Sequence, residues 1–284
     1  MVRRRIAEEP SSQLALWARR LAVFSIPVML LAILIVRSDR LEAVPALSTI
    51  AASLFLAVAA VILSVAALVV IWIDGVDGLG QALTAILIGV LMLAYPAYLT
   101  VKAYRLPAIN DITTDPIDPP RFEVIAKLRQ RDANPVTYAG LRTAELQREA
   151  YRDIEPLQLS NPPQEAFDAA YAVITRRKWR IVDARPPQAR RDGLIEAVAR
   201  SPIMGFRDDV VVRIRSGQDG VRIDARSASR YGHHDFGDNA SRIRNLLEDI
   251  DDFAGSDAAK KLTAKAAKNQ QTPATKNAHT PVRR

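Results

Sequence analysis

The distribution of apolar and polar residues divides the chain into two unlike parts. Before Lys102, three apolar runs lie at Leu21–Val36, Ala46–Ile73 and Ala82–Val101. The second run has 28 residues without a charge. A helix that crosses a hydrocarbon core about 30 Å thick needs roughly 20 mostly apolar residues. The pattern therefore predicts three transmembrane helices, followed by a part of the chain with the composition of a water-soluble domain.

Small side chains recur along the second run at steps of three and four residues. They are Ser53, Ala57, Ala60, Ser64 and Ala67. This spacing places them on one helix face, where a neighbouring helix can approach closely, although alanine is also common throughout the chain. The second and third runs carry no charged residue inside them. Transporters and proton relays use such residues, so we expect the three helices to serve as an anchor.

The rest of the chain suggests a division into four segments. Residues 1–105 form the predicted membrane anchor, and residues 106–160 form a proline-rich lead with an irregular beginning of the soluble domain. Residues 161–253 form the main domain. Residues 254–284 are rich in Ala, Lys and Thr and have too few large apolar groups to fold, so they are predicted to be a disordered basic tail.

Within the main domain, the periodicity predicts a helix, four strands and a second helix. These elements are Gln164–Arg177, Trp179–Ala184, Gly193–Arg200, Asp209–Arg215, Val221–Ser227 and Asn239–Phe253. The last two strands alternate apolar with charged residues, which is typical of an antiparallel sheet covered on one side. We therefore expect a two-layer α+β domain. A further helix is predicted at Tyr138–Tyr151, and Asp238 or Asn239 is expected to cap the last helix.

The positive charge of the chain is concentrated at its end. Of the formal net charge of +8, residues 254–284 contribute +6, with seven basic residues against one acidic residue. The folded part is nearly neutral, which argues against a nucleic-acid-binding face. The tail is either an inert solubilising segment or a contact for an anionic polymer or membrane surface. The absence of cysteine excludes disulfides and thiolate chemistry.

The arginines near the beginning of the chain predict its orientation. Arg3, Arg4, Arg5, Arg19 and Arg20 come before or at the start of the first apolar run. Because basic residues accumulate on the cytoplasmic side of a membrane, the N-terminus is expected inside and the soluble domain outside. In a Gram-negative cell, this corresponds to a multi-pass protein of the inner membrane with a periplasmic domain.

One long motif near the end of the domain resembles a known family. The segment RSASRYGHHDFGDNASRIRNLL and the strand DDVVVRIR are similar to the bacterial family catalogued as domain of unknown function 1499, in its membrane-anchored form. The resemblance extends from about Ile109 to Phe253. It implies an envelope-associated domain without an assigned reaction. Matching positions are Ser227, Ser229, Arg230, Gly232, Asp235, Gly237, Asn239, Arg242 and Arg244. His234 stands where the family pattern has serine, and His233 lies outside the pattern.

The arginines of this region are candidates for anion binding, because a guanidinium can bind phosphate or carboxylate through two hydrogen bonds. The candidate residues are Arg213, Arg226, Ser227, Ser229, Arg230, Asp235, Asn239, Arg242 and Arg244. Arg215 and Arg222 share the charged sheet face with the first two. The structural alternative is that Arg213 and Arg215 pair with Asp224 and Glu196, while Asp235 and Asn239 tie the loop and cap the helix.

Three further kinds of chemistry are weaker candidates. Ser227, Ser229 and His234 contain the groups of a hydrolytic site, but such a site needs a hydroxyl within hydrogen-bond distance of an imidazole. His233, His234 and Asp235 have no second ligand pair at metal-binding spacing. Asp208, Asp209 and Glu196 are candidate acid–base carboxylates, but the run Arg207, Asp208 and Asp209 more closely resembles a solvated strand entry. We therefore assign no catalytic residue, no metal and no cofactor.

These observations favour a non-catalytic binding or assembly domain that three helices anchor in the lipid bilayer. Its expected partner is an anionic envelope component or another envelope protein, and no nucleic-acid partner is expected. The first alternative is a membrane-anchored hydrolase that uses the loop Ser227–Asp235. The second alternative is a sensor, for which the sequence has no evident output module.

Overall fold

The structure is a computed structural model that describes residues 11–38, 43–201, 203–217 and 220–256. The basic tail that was predicted to be disordered lies outside these ranges from residue 257 onward, and Arg3, Arg4 and Arg5 lie outside them as well. The described part consists of three long helices followed by a mixed α+β domain.

The three helices confirm the predicted membrane part. They are α1 (Gln13–Ser38), α2 (Ala43–Asp74) and α3 (Leu79–Arg105). All three are long and apolar enough to cross a membrane, and they pack against one another as a bundle. Helices α1 and α3 continue through Pro27 and Pro96. A missing backbone donor is tolerated in a membrane helix where neighbouring groups satisfy the freed carbonyl.

The predicted packing face of α2 is also confirmed, because all five small residues are fully buried. They are Ser53, Ala57, Ala60, Ser64 and Ala67. The Ser53 hydroxyl donates a hydrogen bond of 2.8 Å to the carbonyl of Ser25 in α1. On the α3 side, a methyl group added at Gly89 would lie 2.4 Å from Val61 Cγ2. The close approach of α2 and α3 therefore requires glycine at this position.

The soluble domain contacts one end of the helix bundle. At the opposite end, the Ser12 amide donates to the carbonyl of Asp77 at 2.7 Å, so the start of α1 lies beside the connection between α2 and α3. At the domain end, Arg37 donates to the Ile203 carbonyl at 3.1 Å. Arg200 in turn donates to the Arg37 carbonyl at 3.1 Å. The end of α1 and the end of α3 therefore face the domain.

The domain is built on an antiparallel sheet of six strands, two more than the sequence predicts. The strands are β1 (Asp111–Thr113), β2 (Leu157–Leu159), β3 (Arg180–Arg185), β4 (Gly193–Arg200), β5 (Arg207–Ser216) and β6 (Val221–Ser229). Their order is β1-β6-β5-β4-β3, and β2 pairs with β6 beside β1. The two additional strands have three residues each, which is too short for an alternating pattern to be recognised.

Four helices complete the domain: α4 (Val124–Leu128), α5 (Leu141–Ala150), α6 (Pro163–Arg176) and α7 (Asp238–Gly255). Helices α6 and α7 cover one face of the sheet, as predicted, and bury Val173, Ile243 and Leu246 against it. The structure thus confirms an α+β domain with an antiparallel sheet. The helix expected near Tyr151 is α5, which begins after Gly140.

A side chain from α5 protects the outer edge of the sheet. The Gln147 amide nitrogen donates to the Thr113 carbonyl at 2.7 Å, and its amide oxygen accepts the Thr113 amide proton at 3.0 Å. The side chain therefore pairs with both the amide and the carbonyl of Thr113 in β1, as a neighbouring strand would. An exposed strand edge would otherwise be a template for pairing with another chain.

The second face of the sheet is covered too, contrary to the expectation that it faces water. Phe122 and Ile125 pack there against Leu194, Val198 and Val211 in a second, smaller core. Four charged residues of this face, Glu196, Asp209, Asp224 and Arg226, are buried, whereas Arg213, Arg215 and Arg222 are partly exposed. The alternation of apolar and charged residues identified the two faces correctly, but it did not reveal that the charged face has partners above it.

Glu196 in β4 binds the start of α4, which belongs to the segment that covers the second face of the sheet. Its side chain is fully buried. Its Oε1 accepts the amide protons of Glu123 and Val124 at 2.8 and 3.0 Å, and its Oε2 accepts that of Ile125 at 2.8 Å. The expectation that Glu196 pairs with Arg213 and Arg215 is therefore wrong. The carboxylate instead compensates the unpaired amide groups at the start of α4.

Replacing Glu196 with alanine should destabilise the protein by about 3 kcal/mol, because three buried amide groups lose a charged acceptor. Urea unfolding of the full chain in detergent measures this change. Glu149→Ala is the matched control, since Glu149 is exposed on α5, and its effect should stay within about 0.5 kcal/mol. Equal stability of the two variants would contradict the role of Glu196.

Candidate functional site

The family-like motif runs from β6 through a loop into α7. Two glycines shape the loop, with φ of 83° at Gly232 and 78° at Gly237, a conformation that other residues adopt at a cost. A Cβ added at Gly237 would also lie 3.0 Å from Leu106 Cδ1. The loop can therefore follow this path and contact the end of α3 only with glycine at position 237.

The serines of the motif take part in a closed hydrogen-bond network. The Ser227 hydroxyl donates to Asn239 Oδ1 at 2.6 Å and accepts from Arg242 at 2.9 Å. The Asn239 amide nitrogen donates to Ser229 Oγ at 2.9 Å. Ser227 and Asn239 are fully buried. The network joins the end of β6 to the first turns of α7 and leaves the Ser227 hydroxyl engaged on both sides.

Asp235 ties the loop to the start of α7. Its two carboxylate oxygens accept the amide protons of Gly237 at 3.0 Å and Asn239 at 2.9 Å. Burial raises the pKa of Asp235, while these two amide groups act in the opposite direction. The cap expected from Asp238 or Asn239 is therefore supplied by Asp235. This arrangement agrees with the structural interpretation of the motif.

Two arginines of the candidate set form buried ion pairs. Arg226 binds Asp111 through two hydrogen bonds of 2.9 and 2.6 Å, and its guanidinium lies 4.7 Å from the ring centre of Phe122. Arg230 binds Asp209 Oδ1 at 2.9 and 2.7 Å. Arg226 belongs to the charged face that the sequence predicts, and Asp111 and Asp209 lie on the same face because both are paired with Ala228 in β6. The pairing of Arg226 and Arg230 with carboxylates favours a structural role over the capture of an external anion.

The other candidate arginines also have carboxylate partners. Arg242 pairs with Asp208 and Arg244 with Asp153. Burial raises the pKa of Asp208, although the charge of Arg242 and a hydrogen bond from Ser229 oppose the rise.

On the sheet face, three arginines share three carboxylates in one cluster. Its members are Arg213, Arg215, Arg222, Asp115, Asp118 and Asp224. Asp224 is fully buried and pairs with Arg213, as expected, at 3.1 Å. Burial alone would raise the pKa of Asp115, but the Asp118 amide and the guanidinium groups of Arg215 and Arg222 outweigh it and lower that pKa.

His234 connects the motif to the membrane helix α3. The Phe236 amide donates to His234 Nδ1 at 2.9 Å, so Nε2 carries the proton. Nε2 then donates to the carbonyls of Ala103 at 3.3 Å and Leu106 at 3.1 Å, which end the helix. The residue that departs from the family pattern therefore fastens the loop to α3.

The proline-rich lead that was predicted from residue 106 onward is already part of the folded domain at its beginning. Five residues separate the end of α3 from β1. Among them Ile109 is buried, and its carbonyl accepts the Asp235 amide proton at 3.2 Å. The described chain thus passes from the membrane helix into the core of the domain without a free linker.

Neither alternative chemistry is assembled by this loop. Among the residues that the structure describes, no hydrogen bond joins Ser227 or Ser229 to His233 or His234. Groups of three His, Asp or Glu side chains able to hold a metal ion are likewise absent from the described ranges. The expectation of a solvated strand entry at Asp208 and Asp209 is wrong, because Asp209 is fully buried between Arg129 and Arg230 and Asp208 is buried beside Arg242.

A second region contains arginines that sequence reasoning missed. An open cavity of about 410 Å³ lies beside the connection between β3 and β4. Arg121, Arg190 and Arg191 line it and are exposed. Within the described part of the chain, none of the three forms an ion pair or side-chain hydrogen bond. The lining also includes Arg185 and Arg213, and three carboxylates oppose these five arginines.

The turn that carries Arg190 and Arg191 is well defined by its backbone. The amides of Gln188 and Arg191 each donate to the carbonyl of the other, at 2.9 and 3.1 Å. A Cβ added at Gly193 would lie 2.9 Å from Pro187 Cδ, so the glycine permits the close return of the chain. The sequence ARPPQARRDG between two strands was the available signal.

The comparisons with known proteins agree with the resemblance noted from the motif. The protein-family model described as Protein of unknown function (DUF1499) matches residues 111–250. This range begins at β1 and ends within α7, so it covers the sheet and both helices on its first face. No curated protein and no solved structure matches the chain.

Acid should weaken the domain partly through Asp115. Its pKa in the folded protein lies below the ordinary value of 3.8, so the ionised form is stabilised by folding. This contribution is present above about pH 4 and is lost as the pH falls through the lowered pKa. Asp115→Asn should therefore be less stable at pH 7 and should show a shallower loss of stability in acid.

The measurement is urea unfolding of the full chain in detergent at a series of pH values. Asp252→Asn is the control, because it removes the same charge from an exposed position on α7. A parallel pH dependence in wild type and Asp115→Asn would show that the arginine cluster does not stabilise the ionised carboxylate.

Proposed function

Since the soluble domain of this chain belongs to the DUF1499 family, whose description assigns no activity, we propose a function from its geometry. The protein is a membrane-anchored, non-catalytic binding protein that presents an arginine-lined pocket to an anionic component of the cell envelope. The observation that carries this proposal is the cavity lined by Arg121, Arg190 and Arg191, whose guanidinium groups have no partner within the described residues.

The contrast with the motif arginines supports the assignment. Arg226, Arg230 and Arg242 are each buried or nearly buried beside a carboxylate, and an incoming anion would have to displace that partner. Arg190 and Arg191 are exposed on a turn. They can bind phosphate or carboxylate oxygens through paired hydrogen bonds without first breaking an ion pair.

The position of the cavity also suits a ligand that lies beyond the membrane. Strand β4 begins with Gly193 and Leu194 beside the cavity and ends at Arg200, which contacts the end of α1. Seven residue steps of about 3.4 Å place the cavity roughly 24 Å from the membrane end of the strand. The pocket therefore lies at the pole of the domain opposite the contact with α1.

The pocket favours ligands with several negative charges. It is open and broad, and its five arginines exceed its three carboxylates. A single carboxylate would engage one guanidinium, whereas a chain of phosphates or a polymer with repeated acidic groups can contact several. We place this ligand in the cell envelope because the arginines at the N-terminus favour a domain outside the inner membrane, in the periplasm of a Gram-negative cell.

Tripolyphosphate should bind the full chain in detergent at low ionic strength. The double variant Arg190→Gln/Arg191→Gln should bind it at least about tenfold more weakly, because each charge-assisted hydrogen bond contributes about 1.5–3 kcal/mol. Isothermal titration calorimetry measures both affinities. Added salt should weaken binding in the wild type.

The matched control is Arg142→Gln/Arg148→Gln, which removes the same charge from exposed positions on α5. The basic tail is common to all three proteins, so the difference between the two double variants reports the pocket alone. If both variants bind tripolyphosphate equally well, the pocket is not the anion site and the proposal fails.

The orientation can be tested with single cysteines, since the natural chain has none. Glu149→Cys lies on the soluble domain, and Asp74→Cys lies at the opposite end of the bundle, where α2 ends. In spheroplasts, a membrane-impermeant maleimide should label Glu149→Cys directly and Asp74→Cys only after permeabilisation. The reverse pattern would place the domain in the cytoplasm and overturn the envelope assignment.

A further inference from the structure

A second cavity lies where the soluble domain meets the membrane helices. Its volume is about 360 Å³, which falls in the range of about 300–1,000 Å³ that is typical of small-molecule sites. One wall consists of Leu47 from α2 with Tyr95 and Leu99 from α3. Met204 and Phe206 of the domain add to the apolar lining. This cavity is separate from the arginine pocket at the other pole.

The apolar wall is continuous with the surface that faces the bilayer. Leu47 and Tyr95 line the cavity and still expose 48% and 40% of their surface. Both residues belong to helices that are long and apolar enough to span a membrane. A hydrocarbon chain in the bilayer can therefore extend along these residues into the cavity without crossing water.

The opposite wall is polar. It is lined by Asp208, Asp235 and Asp238 together with Arg207, His233 and His234. Asp208 and Asp235 are buried, whereas Asp238 is exposed. The hydroxyl of Ser229 also reaches this wall. Asp208 is already paired with Arg242, and Asp235 accepts two backbone amide protons. The exposed carboxylate of Asp238 is therefore the acceptor that favours a ligand group with positive charge and several donor hydrogens.

Basic and aromatic groups mark the rim as the level of lipid headgroups. The Lys102 ammonium lies 5.7 Å from the ring centre of Tyr98 and 3.7 Å from Asp238. Aromatic and long basic side chains collect at this depth of a membrane. A phosphate held near Lys102 would lie beside Asp238, while the chains attached to it would lie beside Leu47 and Leu99.

We propose that this cavity binds one zwitterionic phospholipid of the phosphatidylethanolamine type from the surrounding bilayer. Its ammonium group contacts the exposed carboxylate of Asp238, its phosphate lies near Lys102 at the rim, and one acyl chain follows Leu47 and Leu99 into the bilayer. The bound lipid fills the junction between helix α3 and the motif loop. This inference does not depend on the anion pocket.

Native mass spectrometry of the full chain in detergent tests the proposal. With equimolar phosphatidylethanolamine and phosphatidylglycerol of identical chains, the protein should retain one phosphatidylethanolamine, in at least fivefold preference. Glycerophosphoethanolamine has the same headgroup without chains and should not be retained. Leu99→Trp and, independently, Leu47→Trp should each lower lipid retention at least fivefold by filling the apolar wall.

The control is Leu91→Trp, which lies on α3 with 66% of its surface exposed and outside the lining of the cavity. It should retain the lipid like the wild type. A cooperative thermal unfolding transition in each variant shows that it is folded. If Leu99→Trp does not fold, Leu47→Trp provides the test of the cavity. Equal retention of the two lipids by the wild type, or equal retention in all three tryptophan variants, would overturn the proposal.

Discussion

A charge buried in a protein must be compensated, and the soluble domain is organised around this requirement. Glu196, Asp209 and Asp224 are fully buried on one face of the sheet. Their partners come from distant parts of the chain: the start of α4, Arg129 and Arg230, and the cluster that contains Arg213. Leaving one such carboxylate unpaired would cost several kcal/mol. The pairs therefore draw the segment after β1 onto the sheet and close its second face.

Most of the architecture could be predicted from the sequence, because it follows from periodicity. Uncharged runs of sufficient length indicate membrane helices, and alternation within Asp209–Arg215 and Val221–Ser227 indicates paired strands. The covered second face could not be predicted in the same way. A charged position in a strand has the same sequence pattern whether its side chain faces water or, like Arg226, is covered by Phe122. Strands of three residues, such as β1, are below the length at which alternation becomes informative.

The candidate site shows a related difficulty. The motif drew attention to Arg230, Arg242 and Arg244 because they belong to a long, family-like segment. The structure gives each of them a carboxylate partner. Arg190 and Arg191 lie in a turn outside the motif, and only the fold shows that they have no ion-pair partner within the described residues. Arginine count and spacing therefore indicate a positive region, while only the fold separates structural from available charge.

The direct passage from α3 into the domain has a mechanical consequence. Leu106 contacts the motif loop, Ile109 is buried in the core, and His234 caps the helix end. The domain is therefore joined to the helix bundle directly, without a flexible linker about which it could rotate. A tilt or rotation of α3 within the lipid would therefore move the whole domain with it, and the displacement would be largest at the pole far from the bundle.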